Sequence, residues 1–281
     1  MGLTPPEVEI RMAFASTALA IRCEDPELAS RLRQVFRHCL STAEPALTYR
    51  IHNPKPNLWL TEREGQVIRQ DIQTLDLLEG LMHDLVAQLI THTSGQAVFH
   101  AAGVEQNGRA ALLVAESGAG KSSLTGWLVC QGWNYLGDEI LAWDEQQRLV
   151  HGLPRPLVLK RGATRLWQAW LPAGSLAQAK PFGNGTLWLD PEWIRAGAVR
   201  QAAQAGWLLF PQYRRGAAFQ ARRLSQAEAA FGLMQHLVNG PNLVGEGFEI
   251  IARLAQICPA YRLEYGEFSD KLAGWLRSEL N

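Results

Sequence analysis

Cysteine is scarce in this sequence. The four present, Cys23, Cys39, Cys130 and Cys258, are scattered with no Cys-x-x-Cys spacing. That argues against a disulfide framework or a structural zinc site and fits a reducing cytoplasm. Long apolar runs are missing too: none approaches the roughly 18 residues that a membrane span needs. The opening Met1-Gly-Leu-Thr-Pro-Pro-Glu7 has no basic stretch followed by an apolar one, so no signal peptide is expected. Net charge is absent, 27 Lys and Arg against 27 Asp and Glu. Neither nucleic acid nor an anionic membrane is therefore favoured as a partner.

What is present is ordinary globular composition, 47% hydrophobic and 19% charged, over a length that suits a large single domain or a core domain plus a smaller one. Residues 7–22 suggest a strand or two. Asp25-Pro26-Glu27 reads as a helix start, with Asp as cap and Pro at the first helical position, and Leu28, Leu32, Val35, Phe36 and Cys39 share one face. Extended pieces are expected around 46–52, 58–61 and 66–69, then an amphipathic helix over 75–90 and a boundary at Thr93-Ser94-Gly95. Residues 1–95 are thus expected to form a small α+β lobe. No catalytic constellation is visible in it.

The rest of the chain, 96–281, is organised around Ala115-Glu116-Ser117-Gly118-Ala119-Gly120-Lys121-Ser122-Ser123. An apolar run, 110–114, precedes it, and a helical pattern with Leu124, Trp127 and Leu128 on one face follows. Strand, glycine-rich turn and helix make the context of a phosphate-binding loop: backbone N–H groups and the helix dipole meet phosphate, Lys121 reaches the β/γ-phosphates and Ser122 binds Mg²⁺. Upstream, Asn107-Gly108 between apolar runs signals a hairpin, so the strand carrying His100 is expected antiparallel to the loop strand. Downstream, residues 133–143 read as one strand carrying Asp138 and Glu139, 17 and 18 residues after Lys121. Adjacent acids on a straight strand face opposite ways, so only one of them should reach the phosphates. Pro154-Arg155-Pro156 breaks the ladder, and a mixed, hairpin-rich sheet is expected around the loop. The last third reads as loops and helices: a capping box at Ser225/Glu228 starting a helix to about Val238, helices over 247–258 and 269–280, and a strand through Tyr261, Leu263 and Tyr265.

His100, the loop and the Asp138-Glu139 pair at these spacings resemble the core of the HPr kinase/phosphorylase family, whose fold is like that of phosphoenolpyruvate carboxykinase. The resemblance implies an α/β fold with a mixed sheet, ATP and Mg²⁺ as cofactors, loop residues 116–123 on the nucleotide, and Ser122 and Asp138 on the metal. It also implies roles for His100, Lys121, Asp138, Glu139 and Arg155 in the chemistry. Ala115 stands where the family has its first loop glycine, Glu139 where it has a second Asp, and its Ile-Glu-x-Arg-Gly segment is replaced by Leu153-Pro-Arg-Pro156. Pro154–Pro156, Phe210–Tyr213, Leu224–Glu228 and Tyr261–Gly266 are similar instead to a looser HPr-kinase-related branch, some members of which phosphorylate serine in natural-product precursor peptides. The activity so implied is ATP-dependent phosphorylation of a hydroxyl, foremost a serine of a protein or peptide, by an enzyme that could be a homo-oligomer. A small-molecule kinase and a non-catalytic ATP-binding regulator are the alternatives. Arg155, fixed between two prolines, is the favoured cation opposite the transferred phosphate, ahead of Lys160, Arg161, Arg214 and Arg215.

Overall fold

A computed structural model describes residues 7–160, 164–182 and 186–280, without the side chains of 164–166. The chain divides into two compact units, one running to Thr93 and including Lys180–Leu187, the other made of 94–179 and 188–281. The protein is mixed α/β, with parallel and antiparallel pairings in each of its two larger sheets.

The first unit carries a five-stranded sheet in the order β1 (Val8–Phe14), β2 (Thr17–Cys23), β3 (Leu47–Lys55), β4 (Leu58–Arg63), β5 (Gln66–Asp71). Helix α1 (Pro26–Val35) lies in the crossover that lets β2 and β3 run parallel. Its start is set by Asp25, whose carboxylate accepts from the Leu28 N–H at 2.7 Å. Leu28, Leu32, Val35, Phe36 and Cys39 are all buried. The extended piece expected to end at His52 continues through Asn53 and Pro54. β3 runs on to Lys55, with its ladder shifted between His52 and Lys55, an irregularity that accommodates a proline lacking an N–H. Helix α2 (Thr74–His92) buries Leu77, Leu81, Leu85 and Leu89 along one stripe.

The second unit is built on an eight-stranded sheet. Strands β6 (Ala97–Gln106) and β7 (Arg109–Val114) form a two-residue hairpin. Asn107 and Gly108 at its tip both have positive φ, +52° and +80°, the backbone that Asn-Gly tolerates best. After α3 (Lys121–Cys130) come β8 (Asn134–Gly137), β9 (Ile140–Asp144), β10 (Leu149–Gly152) and β11 (Leu157–Leu159). The expected single strand over 133–143 is therefore two strands, interrupted at Asp138-Glu139. β8 and β9 both pair antiparallel with β6, in one register on either side of the acids (Gly137 opposite Gly103, Ile140 opposite His100), and the ladder shifts earlier, between Gly103 and Val104.

Helices α4 (Thr164–Trp170) and α5 (Ser175–Gln178) and strands β12 (Lys180–Phe182) and β13 (Thr186–Leu189) follow. The centre of the sheet is then filled by β14 (Ala202–Tyr213), parallel to β7 on one side. β15 (Gln220–Arg223), α6 (Gln226–Met234), α7 (Phe248–Ile257), β16 (Ala260–Tyr265) and α8 (Asp270–Glu279) complete the chain, with β16 parallel to β14. β10 also pairs with the first residues of β14, so the sheet curls closed at the end away from the glycine-rich loop. The capping box is formed at Ser225 and Glu228, but the helix it starts stops at Met234 rather than Val238. The residues beyond it leave the helix to pair with β6: the Val238 N–H donates to Val98 O at 2.8 Å, and the Asn239 carboxamide accepts from the Val98 N–H. Two cores flank the sheet. Phe99, Leu112, Leu141, Leu208 and Leu254 lie in one, and Leu113, Leu124, Leu128, Leu209 and Leu263 in the other, where α3 packs.

Candidate functional site

Strand β7 ends at Val114, and the chain turns through 115–120 into α3. Gly118 and Gly120 hold φ of +89° and +91°, a region that costs L-residues roughly 1–2 kcal/mol. Gly120 has a second reason to lack a side chain: a Cβ there would lie 2.9 Å from the Tyr265 hydroxyl and 3.2 Å from Tyr213 Cβ. The Tyr213 N–H donates to Ala119 O at 3.2 Å, so the loop rests on the ends of β14 and β16. No side chain caps α3, and its first-turn N–H groups lack the intrahelical partners that later residues find. Ala115 is buried, and its carbonyl accepts from the Lys121 ammonium. Lys121 is itself buried. That desolvation lowers its pKa, with Asp138 and Glu116 acting to keep it charged and Lys160 acting against. Glu116, Ser117 and Gly118 are exposed, while Ala119, Gly120, Ser122 and Ser123 are half-buried.

β8 and the end of β10 approach each other closely beside the break between β8 and β9. A Cβ on Gly152 would fall 2.0 Å from Leu136 O, and one on Gly137 would fall 3.0 Å from the Leu153 backbone. Two glycines thus let β8 and the end of β10 approach more closely than ordinary side chains permit, bringing 153–155 alongside the acids. Tyr135 secures the approach by donating its hydroxyl to Arg155 O at 2.9 Å. The Arg155 guanidinium forms an ion pair with Glu139. Asp138 turns the other way: it hydrogen-bonds the Ser122 side chain, while its Oδ1 is buried without a partner. Burial pushes its pKa up to about 6 against the Ser122 hydrogen bond and the charges of Lys121, Arg155 and Lys160. The two acids thus point opposite ways, as adjacent residues of an extended segment do, Asp138 toward the loop and Glu139 toward Arg155.

His100 lies on β6 opposite Ile140, one residue short of where β7 begins to pair at Ala101. Beyond that point the place of β7 is taken by 236–238: the His100 N–H donates to His236 O at 2.8 Å, and Phe99 bridges Leu237 antiparallel. His236 is thus the direct cross-strand partner of His100, and such partners project from the same face. Burial lowers the pKa of both imidazoles, and nearby Lys121 adds to the effect in both. His236 Nε2 lies 4.0 Å from the Glu116 carboxylate.

The structure brings together His100, loop residues 115–123 and Asp138, with Glu139 and Arg155 adjacent but bound to each other. Lys160 is exposed and near enough to influence Asp138 and Lys121. Arg214 is exposed and faces Glu264, and Arg215 is exposed as well. Arg161 lies outside the described residues. Among the described residues no cluster of three or more His, Cys, Asp or Glu side chains is arranged to hold a metal, and no helix is long and apolar enough to cross a membrane. His236 was not foreseen, because it belongs to no motif. The only trace of it is the apolar Leu237-Val238 pair that follows it before the Asn239-Gly240 stop.

No protein-family model matches the sequence, and no curated protein is found similar to it. Among solved structures, the chain is similar to the HPr(Ser) kinase/phosphatase from Coxiella burnetii at 11% identity, over 64% of this chain and 91% of that one, with a TM-score of 0.31.

Proposed function

We propose that the protein is an ATP- and Mg²⁺-dependent kinase that transfers the γ-phosphate to a hydroxyl, that of a serine in a protein or peptide. The observation that carries this reading is a buried Lys121 beside a carboxylate, Asp138, which shares a hydrogen bond with Ser122 at the end of an uncapped glycine-rich loop. A buried ammonium held by a backbone carbonyl, with Asp138 and Glu116 nearby, suits exchange of that carbonyl for phosphate oxygens. The metal fits on the same grounds. Ser122 and Asp138 offer hard oxygen donors, and Asp138 Oδ1 is buried with no hydrogen bond to satisfy it. Bound there, Mg²⁺ would supply neutralisation of the charge that develops on the transferred phosphate.

The chain's own residues then have distinct tasks. Lys121 leaves Ala115 O for the phosphates, and the first-turn N–H groups of α3 hold the oxygens in place. The acceptor hydroxyl attacks the γ-phosphorus in line and its bond to the β–γ bridging oxygen breaks, the electron pair leaving with ADP. Asp138, beside the loop, takes the hydroxyl proton. Glu139 is held by Arg155 and does not compete for this role. His100, with its protonated form disfavoured by burial and by Lys121, faces the phosphate end as an acceptor.

The Glu139–Arg155 pair also favours a second reading, a module that binds ATP without transferring phosphate, since the arginine is occupied. Lys121→Ala tests the core of both readings. It is expected to abolish binding of a fluorescent ATP analogue while leaving the circular-dichroism spectrum unchanged. Wild-type protein incubated with γ-labelled ATP and a serine-peptide library separates the two: label on peptide supports the kinase, and tight binding without label supports the module. If Lys121→Ala binds nucleotide as wild type does, both readings fail.

A further inference from the structure

The pairing of His236 with His100 places an imidazole from the far end of the chain at the root of the glycine-rich loop, and its nearest charged partner is Glu116. A carboxylate in a phosphate-binding loop is an electrostatic liability, because it would repel the polyphosphate that the loop gathers. Lys121 attracts Glu116 only at a distance, since its ammonium is buried on the Ala115 carbonyl rather than paired with that carboxylate. Its carboxylate extends outward instead, 85% exposed, toward the edge where His236 stands 10% exposed. His236 is fixed there by the backbone: the His100 and Val238 N–H bonds, the Phe99–Leu237 bridge and the Asn239 carboxamide on Val98 N–H leave residues 236–239 no freedom to slide along β6.

We infer that His236 is a positioning residue of the nucleotide site, which draws the Glu116 carboxylate away from the phosphate cradle. The inference rests on the reading of 115–122 as the phosphate loop. The groups facing His236 are His100 from β6, Glu116 from the loop and Lys121 from the start of α3. Its pull on Glu116 is strongest when the imidazole is protonated. Burial and Lys121 oppose that state, so the effect grows as pH falls below neutrality.

The test is a double-mutant cycle on the affinity of the full chain for a fluorescent ATP analogue. His236→Ala is expected to weaken binding about twofold to fivefold, the scale of a part-exposed ion pair, and by more at pH 6 than at pH 8. In a Glu116→Gln background the same His236→Ala change is expected to have no effect, because no carboxylate remains to be held. His236→Gln, which keeps a polar side chain, guards against simple loss of folding and is checked by thermal melting. If the His236→Ala loss persists in full in the Glu116→Gln background, or if His236→Ala binds as wild type at both pH values, the inference is overturned. Failure of wild-type protein to bind the analogue at all sinks the nucleotide reading instead.

Discussion

Asp138 is the residue on which the electrostatics of the site converge. Its carboxyl is pushed up to about 6 by burial, above the usual value of 3.8, despite Ser122, Lys121, Arg155 and Lys160 pulling the other way. The sign of the linkage follows. The folded chain keeps a proton between about pH 4 and pH 6 that the unfolded chain has already released, so this group's contribution to stability falls as pH rises through that window. Above it, the ionised carboxylate is a standing cost. Asp138→Asn is therefore expected to stabilise the nucleotide-free protein by about 1–3 kcal/mol at pH 8, with the gain vanishing near pH 4, while phosphoryl transfer is lost. Urea melts at the two pH values measure the first effect and labelled ATP the second. A variant that is less stable than wild type at pH 8 would show that the carboxylate is satisfied in the free protein.

At the scale of elements, much of the layout was legible and the exceptions have physical reasons. The β6–β7 hairpin was readable because Asn107-Gly108 is one of the few dipeptides that accept positive φ at both positions. The α1 and α6 starts were readable because Asp25 and Ser225 are caps whose partners lie within three residues. β14 was not. It is the central strand, yet it contains Gly206 and Pro211, which argue against a strand interior. Gly206 sits at a bulge, where the register to β7 shifts and a Cβ would lie 2.9 Å from Ala110 O. Pro211 lies beyond Leu209, the last residue paired with β7, on the side where the Tyr213 N–H reaches the loop, so its missing N–H leaves no ladder bond unmade. The approach of Arg155 to Glu139 was equally invisible, because it goes with Gly152 passing close to Leu136, a contact between strands that no local pattern encodes. That contact is testable. Gly152→Ala would place a methyl 2.0 Å from Leu136 O, and is expected to cost about 3 kcal/mol and to weaken nucleotide binding by shifting Arg155 and the acids. Equal stability of the variant in urea would mean that β8 and β10 are not held at this distance.

Across the whole molecule, every residue placed in the candidate site (His100, 115–123, Asp138, Glu139, Arg155 and His236) belongs to the second unit, and none to the first. The candidate site is therefore built on one sheet, at the end where β7, β14 and β16 stop and the loop, the acids and residues 236–238 meet. A ligand that binds the folded state stabilises it by mass action, by about 2.7 kcal/mol at a hundredfold excess over its dissociation constant. Hydrogen exchange shows where that stabilisation is felt. With saturating ATP and Mg²⁺, amides of 116–125 and of 236–238 are expected to exchange at least tenfold more slowly, the first because phosphate engages their N–H groups and the second because His236 borders the loop. Amides of β1–β5 and α2 are expected to exchange at unchanged rates. Protection confined to the first unit would place the nucleotide elsewhere. Protection of 116–125 without any change at 236–238 would keep the loop as the phosphate site and detach His236 from it.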